Sequence, residues 1–271
     1  MADTIEATLQ TLVHRLSQHN SIRAIGISGG ERPLPKVGEG DIDLFVYCIE
    51  IPSRQEREAI LLLLPGAIDG VSIGKLESGH WGQGDCFRIE GVETCLLYFT
   101  VTEARAELEA ILSGKYLGRL DSYYYPIGRC AMWKTMRAYY DPDGFLASLK
   151  QRLYEYPEEL AVLTIDHHLN ALEDVEDLER AVERKDLFFY HFAMDLALDS
   201  FLQSLFAINR EYFPSRKRSE ICIQYFNIKP PKCASRLRQV VAFGGNAETL
   251  EQSYEVWKGL INDLRLLANL V

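Results

Sequence analysis

The sequence predicts an α/β domain followed by an all-helical domain. Short β-rich segments alternate with amphipathic helical patterns up to about residue 125, and long helical periodicities replace the strand pattern beyond that point. The chain has 271 residues, which is enough for two modest domains. We therefore expect one domain over residues 1–125 and a second over residues 126–271.

The predicted elements follow from local pattern. In the first part, apolar residues recur at helical spacing over 4–18, 54–64 and 102–112, and β-rich runs occupy 22–27, 41–49, 86–89 and 93–101. Residues 65–84 are rich in glycine and are expected to form a loop with one short strand at 71–73. In the second part, helical periodicity covers 128–139, 143–154, 158–184, 186–213, 232–243 and 247–270.

Composition and charge exclude several classes of protein. Hydrophobic residues make up 47% and charged residues 25%, which is typical of a globular protein and argues against disorder, collagen and coiled coil. The formal net charge is −10, so general nucleic-acid binding is not expected. Oligomeric state is not readable from these features.

The cysteines and the apolar runs bear on location. Six cysteines are scattered without a CxxC pair, which predicts reduced thiols and no zinc site. No apolar run reaches the ~18 residues that a membrane helix needs, and Met1 is not followed by a secretion signal. We expect a cytoplasmic protein with no membrane partner.

Two carboxylates mark the stretch that carries chemistry. Asp41 and Asp43 stand two residues apart at the start of a predicted strand, so their side chains share one face of the sheet. Two such carboxylates can bind one divalent cation or straddle a pair. Because oxygen ligands without nearby His or Cys favour Mg²⁺ over zinc, we expect a magnesium site.

A glycine turn precedes the carboxylates. Ser28, Gly29 and Gly30 follow a β-rich segment directly, and ten residues separate Gly30 from Asp41. Glycine lets the backbone approach a ligand closely with its amides exposed, and such a turn can bind phosphate groups.

This arrangement resembles the DNA polymerase β-like nucleotidyltransferase superfamily. A strand ending in Gly-Gly, about ten residues, and then Asp-hydrophobic-Asp-hydrophobic is similar to that superfamily's signature, and Ile25–Val46 carries it. An α/β domain with a helical tail is similar to the aminoglycoside and lincosamide nucleotidyltransferases. Residues 206–215 are similar to a helix end in uncharacterised bacterial nucleotidyltransferase-like proteins. The resemblance implies a catalytic domain with a mixed sheet and a helical domain that binds substrate and nucleotide.

The resemblance also implies roles for particular residues. Ser28, Gly29 and Gly30 would contact the nucleotide phosphates, with Ser28 in place of the hydroxyl that a Gly-Ser motif supplies. A third carboxylate on a later strand would complete the metal site with Asp41 and Asp43 or act as general base. Glu93 is the first choice for it, and Glu90 and Asp85 on the same hairpin are the alternatives.

Two further groups of polar residues lie in the predicted helical domain. Lys217 is the lysine expected to contact phosphate, and a solvated basic turn is the alternative explanation. His191, Asp195 and Asp199 recur every four residues on an apolar helix, which fits either acceptor binding or a buried His–Asp hydrogen bond.

The sequence thus leads to a functional hypothesis. We expect a Mg²⁺-dependent nucleotidyltransferase that transfers a nucleotide, AMP from ATP, to a hydroxyl of a small molecule. Two alternatives stay open: transfer to protein or RNA, and a non-catalytic nucleotide-binding or antitoxin-like module.

Overall fold

The chain forms two compact units. A computed structural model describes residues 2–30, 32–64, 67–76, 80, 82–118, 125–172 and 176–269. The first unit comprises residues 1–110 and 132–154, and the second comprises residues 111–131 and 155–271. Residues 132–154 therefore group with the first unit, whereas the sequence-based boundary at 125/126 assigned them to the second.

A six-stranded mixed sheet forms the first unit. Its strand order is β3-β4-β5-β2-β1-β6. Strand β2 runs parallel to β5, and the other neighbouring strands are antiparallel. The strands are β1 (Ile22–Ile27), β2 (Ile42–Cys48), β3 (Ile68–Leu76), β4 (Gln83–Ile89), β5 (Val92–Thr100) and β6 (Arg137–Tyr140).

Two of these strands differ from the expectation. Residues 65–84 were expected to be mostly loop, but β3 extends over nine residues. Residues 128–139 were expected to be helical, but the helix ends at Thr135 and β6 pairs with β1. Local pattern favoured a helix there, and the edge of the sheet provides the pairing that local pattern does not contain.

One face of the sheet carries the hydrophobic core of the first unit. Alternate residues of β2, namely Ile42, Leu44 and Val46, are buried on this face. Helices α1 (Ala2–Ser17) and α2 (Arg54–Leu62) supply the apolar side chains that share the same cluster, among them Leu9, Leu12, Leu16 and Leu61.

The opposite face carries Asp43, Phe45 and Tyr47, the intervening residues of β2. Tyr47 accepts a hydrogen bond from Trp133 Nε1 at 2.7 Å. Its ring packs on that of Phe145, with the ring centroids 5.1 Å apart. These contacts cover the later half of β2 on this face.

Helices make up most of the remaining chain. They are α3 (Val101–Leu112), α4 (Pro126–Thr135), α5 (Phe145–Arg152), α6 (Glu158–Ala171), α7 (Glu176–Glu183), α8 (Leu187–Ile208), α9 (Ser219–Tyr225), α10 (Cys233–Gly244) and α11 (Leu250–Ala268). The last six of these, with no strand among the described residues 155–172 and 176–269, confirm a helical C-terminal region. None of the helices in the described ranges has the length and hydropathy needed to cross a bilayer.

The expectation that the cysteines are all reduced thiols is wrong. Cys86 and Cys95 face each other on β4 and β5 and form a disulfide, with their Cα atoms 4.3 Å apart. A separation of nine residues between two cysteines does not by itself indicate a disulfide. The bond depends on the hairpin register that places the two residues opposite each other. The remaining cysteines, Cys48, Cys130, Cys222 and Cys233, form no disulfide.

Candidate functional site

Asp41 and Asp43 lie at the beginning of β2. Asp43 is half-buried on the face opposite the hydrophobic core, and Asp41 is exposed one residue before the strand starts. The Cα atoms of residues two apart along a strand are separated by about 7 Å. The two carboxylates thus stand close together at one end of the sheet.

The glycine turn lies beside these carboxylates. Strand β1 ends at Ile27, which is the partner of Leu44 in the antiparallel pair, so the turn emerges next to the start of β2. The backbone N–H of Ser28 donates a hydrogen bond to the carbonyl of Asp43 at 3.1 Å. The structure therefore brings the predicted phosphate turn and Asp43 together.

The backbone of this turn requires glycine. Gly29 has a φ of 90° and Gly30 a φ of 67°, both in the left-handed region. Apart from its two chain neighbours, no atom of the described residues lies within 4 Å of the place where a Cβ of Gly29 would stand, so the turn is open at Gly29, whereas a Cβ on Gly30 would lie 3.3 Å from the carbonyl oxygen of Thr135. A turn of two left-handed glycines that is open at Gly29 can present backbone amides to an anion.

Glu93 lies on the neighbouring strand. In the parallel register, Thr94 pairs with Ile42, so Glu93 and Asp41 each precede that pair by one residue. The Glu93 carboxylate accepts a hydrogen bond from Lys75 Nζ at 2.9 Å, and about half of its side chain is exposed. This bond, with the charge of Lys75, lowers the pKa of Glu93 below its ordinary value.

The two alternatives to Glu93 lie elsewhere. Asp85 is fully buried on the core face of the sheet, where it pairs with Arg57 at 3.3 Å and accepts a hydrogen bond from the N–H of Gly74 at 2.8 Å. Glu90 is exposed in the β4–β5 hairpin turn at a φ of 49°. Neither carboxylate lies beside Asp43 on the face of the sheet opposite the hydrophobic core. Within the described part of the chain, no group of three or more His, Cys, Asp or Glu side chains could hold a metal ion.

Sequence reasoning missed the residue that faces Asp43. The partner of Asp43 on β5 is Cys95, whose sulfur is bonded to Cys86. The alternation of β5 places Cys95 on the same face as Glu93, which is readable from the sequence. The register between β2 and β5 is not readable, because the two strands are far apart in the chain.

Lys217 belongs to the second unit. It is exposed in the segment between α8 and α9, and its backbone N–H donates to Ser215 Oγ at 3.1 Å. Its neighbour Arg216 is the residue that holds this segment in place. The guanidinium contacts Asp195 Oδ1 and Asp199 Oδ1, each at 2.5 Å.

The contacts of Arg216 explain in part why His191, Asp195 and Asp199 recur on α8. Asp195 and Asp199 both bind Arg216, so neither side chain depends on His191, which is exposed. Burial by itself lowers the pKa of Arg216, but the hydrogen bonds to Asp199 and Asp195 outweigh it and raise the pKa. Arg216 therefore stays charged at neutral pH.

Comparison with known proteins bears on the fold. The chain is similar to the crystal structure of a nucleotidyltransferase-like protein from Exiguobacterium sibiricum, with a TM-score of 0.50. The similarity covers 96% of this chain and 74% of the other, at 11% sequence identity. The fold is nucleotidyltransferase-like. An identity this low supports the fold alone.

The sequence comparisons add one match. Residues 127–218 match a family described as a domain of unknown function, DUF4037. The matched segment includes α8 and the Arg216–Lys217 turn, but it ends before α9. No curated protein matches the sequence.

Proposed function

We propose that this protein is a Mg²⁺-dependent nucleotidyltransferase. It would transfer AMP from ATP to a hydroxyl group of a small molecule, as the aminoglycoside and lincosamide enzymes do with their antibiotics. The observation that carries the proposal is the hydrogen bond from the backbone N–H of Ser28 to the backbone carbonyl of Asp43. It joins the glycine turn to the start of β2, where the two carboxylates lie.

The donor chemistry at Asp41 and Asp43 fits a hard cation. Both offer carboxylate oxygens at one end of the sheet, and Mg²⁺ is bound in proteins by one or two carboxylates together with phosphate oxygens. When bound there, Mg²⁺ would neutralise charge on the triphosphate.

The other predicted residues would bind phosphate and move a proton. Backbone amides of Ser28, Gly29 and Gly30 would bind the β- and γ-phosphates, and the exposed ammonium of Lys217 would contact phosphate. Of the two roles predicted for Glu93, we favour general base. The register of β5 against β2 places its exposed carboxylate next to Asp41, and the described residues contain no three-ligand metal group that would use it as a ligand.

The proposed reaction is an in-line displacement at the α-phosphorus. The acceptor oxygen forms a bond to phosphorus as the bond to the pyrophosphate oxygen breaks, and Glu93 takes the hydroxyl proton. The products are the nucleotidylated acceptor and pyrophosphate.

The test is calorimetric titration of ATP, GTP, CTP and UTP with Mg²⁺. We expect binding to the wild type, its loss in the double variant Asp41→Asn/Asp43→Asn, and weakening in Lys217→Met. Glu50→Gln is the matched control, because Glu50 is an exposed carboxylate just after the other end of β2. Absence of binding by any nucleotide to the folded wild type would refute the proposal.

Two observations favour a second candidate, a non-catalytic nucleotide-binding module. Glu93 is bound to Lys75, and the described residues contain no three-ligand metal group. Pyrophosphate release distinguishes the candidates when ATP is offered with a panel of aminoglycosides, lincosamides, proteins and RNA. Release with any acceptor supports the transferase and identifies the acceptor class. Nucleotide binding without release supports the module.

A further inference from the structure

Strand β3 forms one edge of the six-stranded sheet. It stands last in the strand order, and within the described part of the chain its outer side pairs with no strand. The edge of a sheet presents backbone N–H and C=O groups that another strand can bind. A groove of about 490 Å³ lies between β3 and α2, and two of the residues that line it, Leu62 and Val71, are 72% and 45% exposed. Exposed apolar surface beside a strand edge is typical of an interaction surface.

The sequence of β3 is self-complementary when the strand is paired with an antiparallel copy of itself. Residues 69–75 read Asp-Gly-Val-Ser-Ile-Gly-Lys, with Ser72 at the centre. A two-fold axis through Ser72 sets each residue opposite the one at the same distance on the other side of Ser72. Asp69 then lies opposite the partner's Lys75, and Lys75 lies opposite the partner's Asp69. The pairing therefore contains two pairs of opposite charge, which stabilise adjacent strands.

The two charged side chains lie on the same face of the sheet. Asp69 pairs with Arg88 on β4, and Arg88 pairs with Glu93 on β5, so all three point to the face opposite the hydrophobic core. Lys75 Nζ donates to Glu93 at 2.9 Å and therefore reaches this face too. The Lys75 side chain is 51% exposed, and an ammonium has three donors, so it can bind a second carboxylate.

The apolar and glycine positions match in the same way. Val71 and Ile73 both line the groove on the α2 side, and the two-fold pairing sets each against the other across the two subunits. The register of β3 with β4 shifts once on each side of Ser72, near Gly70 and Gly74, whose φ angles are 63° and 70°. Bulges normally keep an edge strand from pairing, but these two are equally distant from Ser72 and coincide across the axis. The edge thus fits a copy of itself better than an unrelated strand.

We propose that β3 is a dimerisation strand whose partner is the β3 strand of a second copy of this chain. The two strands pair antiparallel about a two-fold axis at Ser72, which joins the two six-stranded sheets into one continuous sheet. The backbone edge, the two contacts between Asp69 and Lys75 and the apolar side chains of the groove stabilise the dimer. This pairing does not depend on the proposed nucleotidyltransferase activity.

Sedimentation equilibrium of charge-reversal variants tests the pairing. We expect the wild type to sediment with twice the mass of one chain. Asp69→Lys and Lys75→Asp each place like charges opposite each other twice, so each should raise the dissociation constant of the dimer by about tenfold or more. Glu50→Lys reverses an exposed charge outside β3 and should sediment as the wild type does.

Mixing the two charge-reversal variants tests the register itself. In an equimolar mixture of Asp69→Lys and Lys75→Asp, the lysines of one variant lie opposite the aspartates of the other. The mixture should therefore recover the dimer that each variant alone has lost. A dimer through any other surface would not respond to mixing in this way.

Cross-linking at the axis provides an independent measurement. A residue on the two-fold axis lies opposite its own copy, at a separation that a disulfide can span. Ser72→Cys should therefore form a disulfide-linked dimer on mild oxidation, seen at double mass in a non-reducing gel. The wild type and Ser148→Cys, whose serine is exposed on α5, are the controls and should stay unlinked.

Three results would overturn the inference. The first is a wild type that is monomeric at every concentration, and the second is a pair of folded charge-reversal variants that recover no dimer when mixed. The third is a dimer that Ser72→Cys does not link. If a charge-reversal variant does not fold, as judged by circular dichroism, cross-linking of Ser72→Cys decides: a linked dimer supports the pairing and an unlinked protein refutes it.

Discussion

Arg216 and Asp199 join the segment after α8 to the helix itself. Arg216 Nε donates to Asp199 Oδ1 at 2.5 Å, and the hydroxyl of Tyr125 donates to the same oxygen at 2.7 Å. Arg216 Nη2 also donates to the backbone carbonyl of Asp195 at 2.6 Å. Asp199 is 6% exposed, so its charge depends on these donors. The pair fixes the backbone from which Lys217 extends.

The first prediction concerns this pair. Arg216→Gln should lower the free energy of unfolding by about 2 kcal/mol, because it leaves a buried carboxylate with fewer donors. We discount the full cost of a broken buried pair, since Arg216 itself is partly exposed. Denaturant unfolding followed by circular dichroism measures the change. Arg218→Gln is the control, because Arg218 is exposed and should change stability by less than about 0.5 kcal/mol. Equal losses in the two variants would contradict the assignment.

A second prediction concerns the close approach of α4 to the same segment. A Cβ on Gly128 would lie 2.4 Å from the carbonyl oxygen of Pro214, a backbone atom that cannot turn aside. Gly128→Ala should therefore cost about 1–3 kcal/mol through strain. Gly118→Ala is the matched control, since no atom of the described residues lies within 4 Å of the added Cβ there, apart from its chain neighbours. Thermal melting of both variants measures the difference, and a wild-type melting temperature for Gly128→Ala would show that the approach is not tight.

Local pattern predicted the parts of the fold that are local in origin. The strands at 22–27 and 42–48 and the turn between them follow from β-branched runs and paired glycines. Strand β6 could not be predicted in this way, because its four residues gain their pairing from β1 more than a hundred residues earlier. The Cys86–Cys95 bond escaped for a different reason, since it depends on the register of the β4–β5 hairpin, which residue spacing does not reveal.

In the candidate site too, the local features could be predicted and the non-local ones could not. Asp41, Asp43 and the glycine turn are adjacent in sequence or in an antiparallel pair, so their spacing was informative. The third position depends on the register of β2 against β5, which places Cys95 opposite Asp43 and Glu93 near Asp41. Asp85 was an alternative from the sequence, and the pleat of β4 turns it to the core instead.

A third prediction follows from the partner of Asp85. Arg57 and Asp85 are both buried, with side chains 6% and 0% exposed. Burial raises the pKa of Asp85, and the hydrogen bond from Gly74 and the charge of Arg57 offset part of that effect. Asp85→Ala should cost about 3–5 kcal/mol, because the Arg57 charge is then left alone in the core. The exposed Asp69→Ala on β3 is the control and should be nearly neutral.

A double variant checks the cause of that loss. Replacing both partners, as in Arg57→Met/Asp85→Leu, removes the stranded charge and should recover most of the stability lost in Asp85→Ala. Denaturant midpoints of the three variants measure the recovery. If the double variant is as unstable as Asp85→Ala, the loss arises from packing rather than from the charge.

The last prediction is a pH dependence located at His168 in the second unit. The ring is 3% exposed, and burial lowers its pKa from 6.5 to about 4. Its Nε2–H donates to the carbonyl of Leu117 at 3.0 Å, and Nδ1 accepts from the hydroxyl of Ser200 at 3.4 Å, so the neutral ring suits both partners.

The sign follows from proton binding. Between pH 6.5 and pH 4 the unfolded chain protonates this histidine and the folded chain does not, so acid favours the unfolded state. The contribution of His168 is complete above pH 6.5 and falls by about 3 kcal/mol as the pH drops to 4. His168→Gln should therefore flatten the acid side of a plot of unfolding free energy against pH. His167→Gln, at its exposed neighbour on α6, should change the slope much less, because it removes only the smaller contribution of the His167 charge to the pKa of His168. A slope that is the same in His168→Gln and the wild type would place the acid sensitivity at other groups.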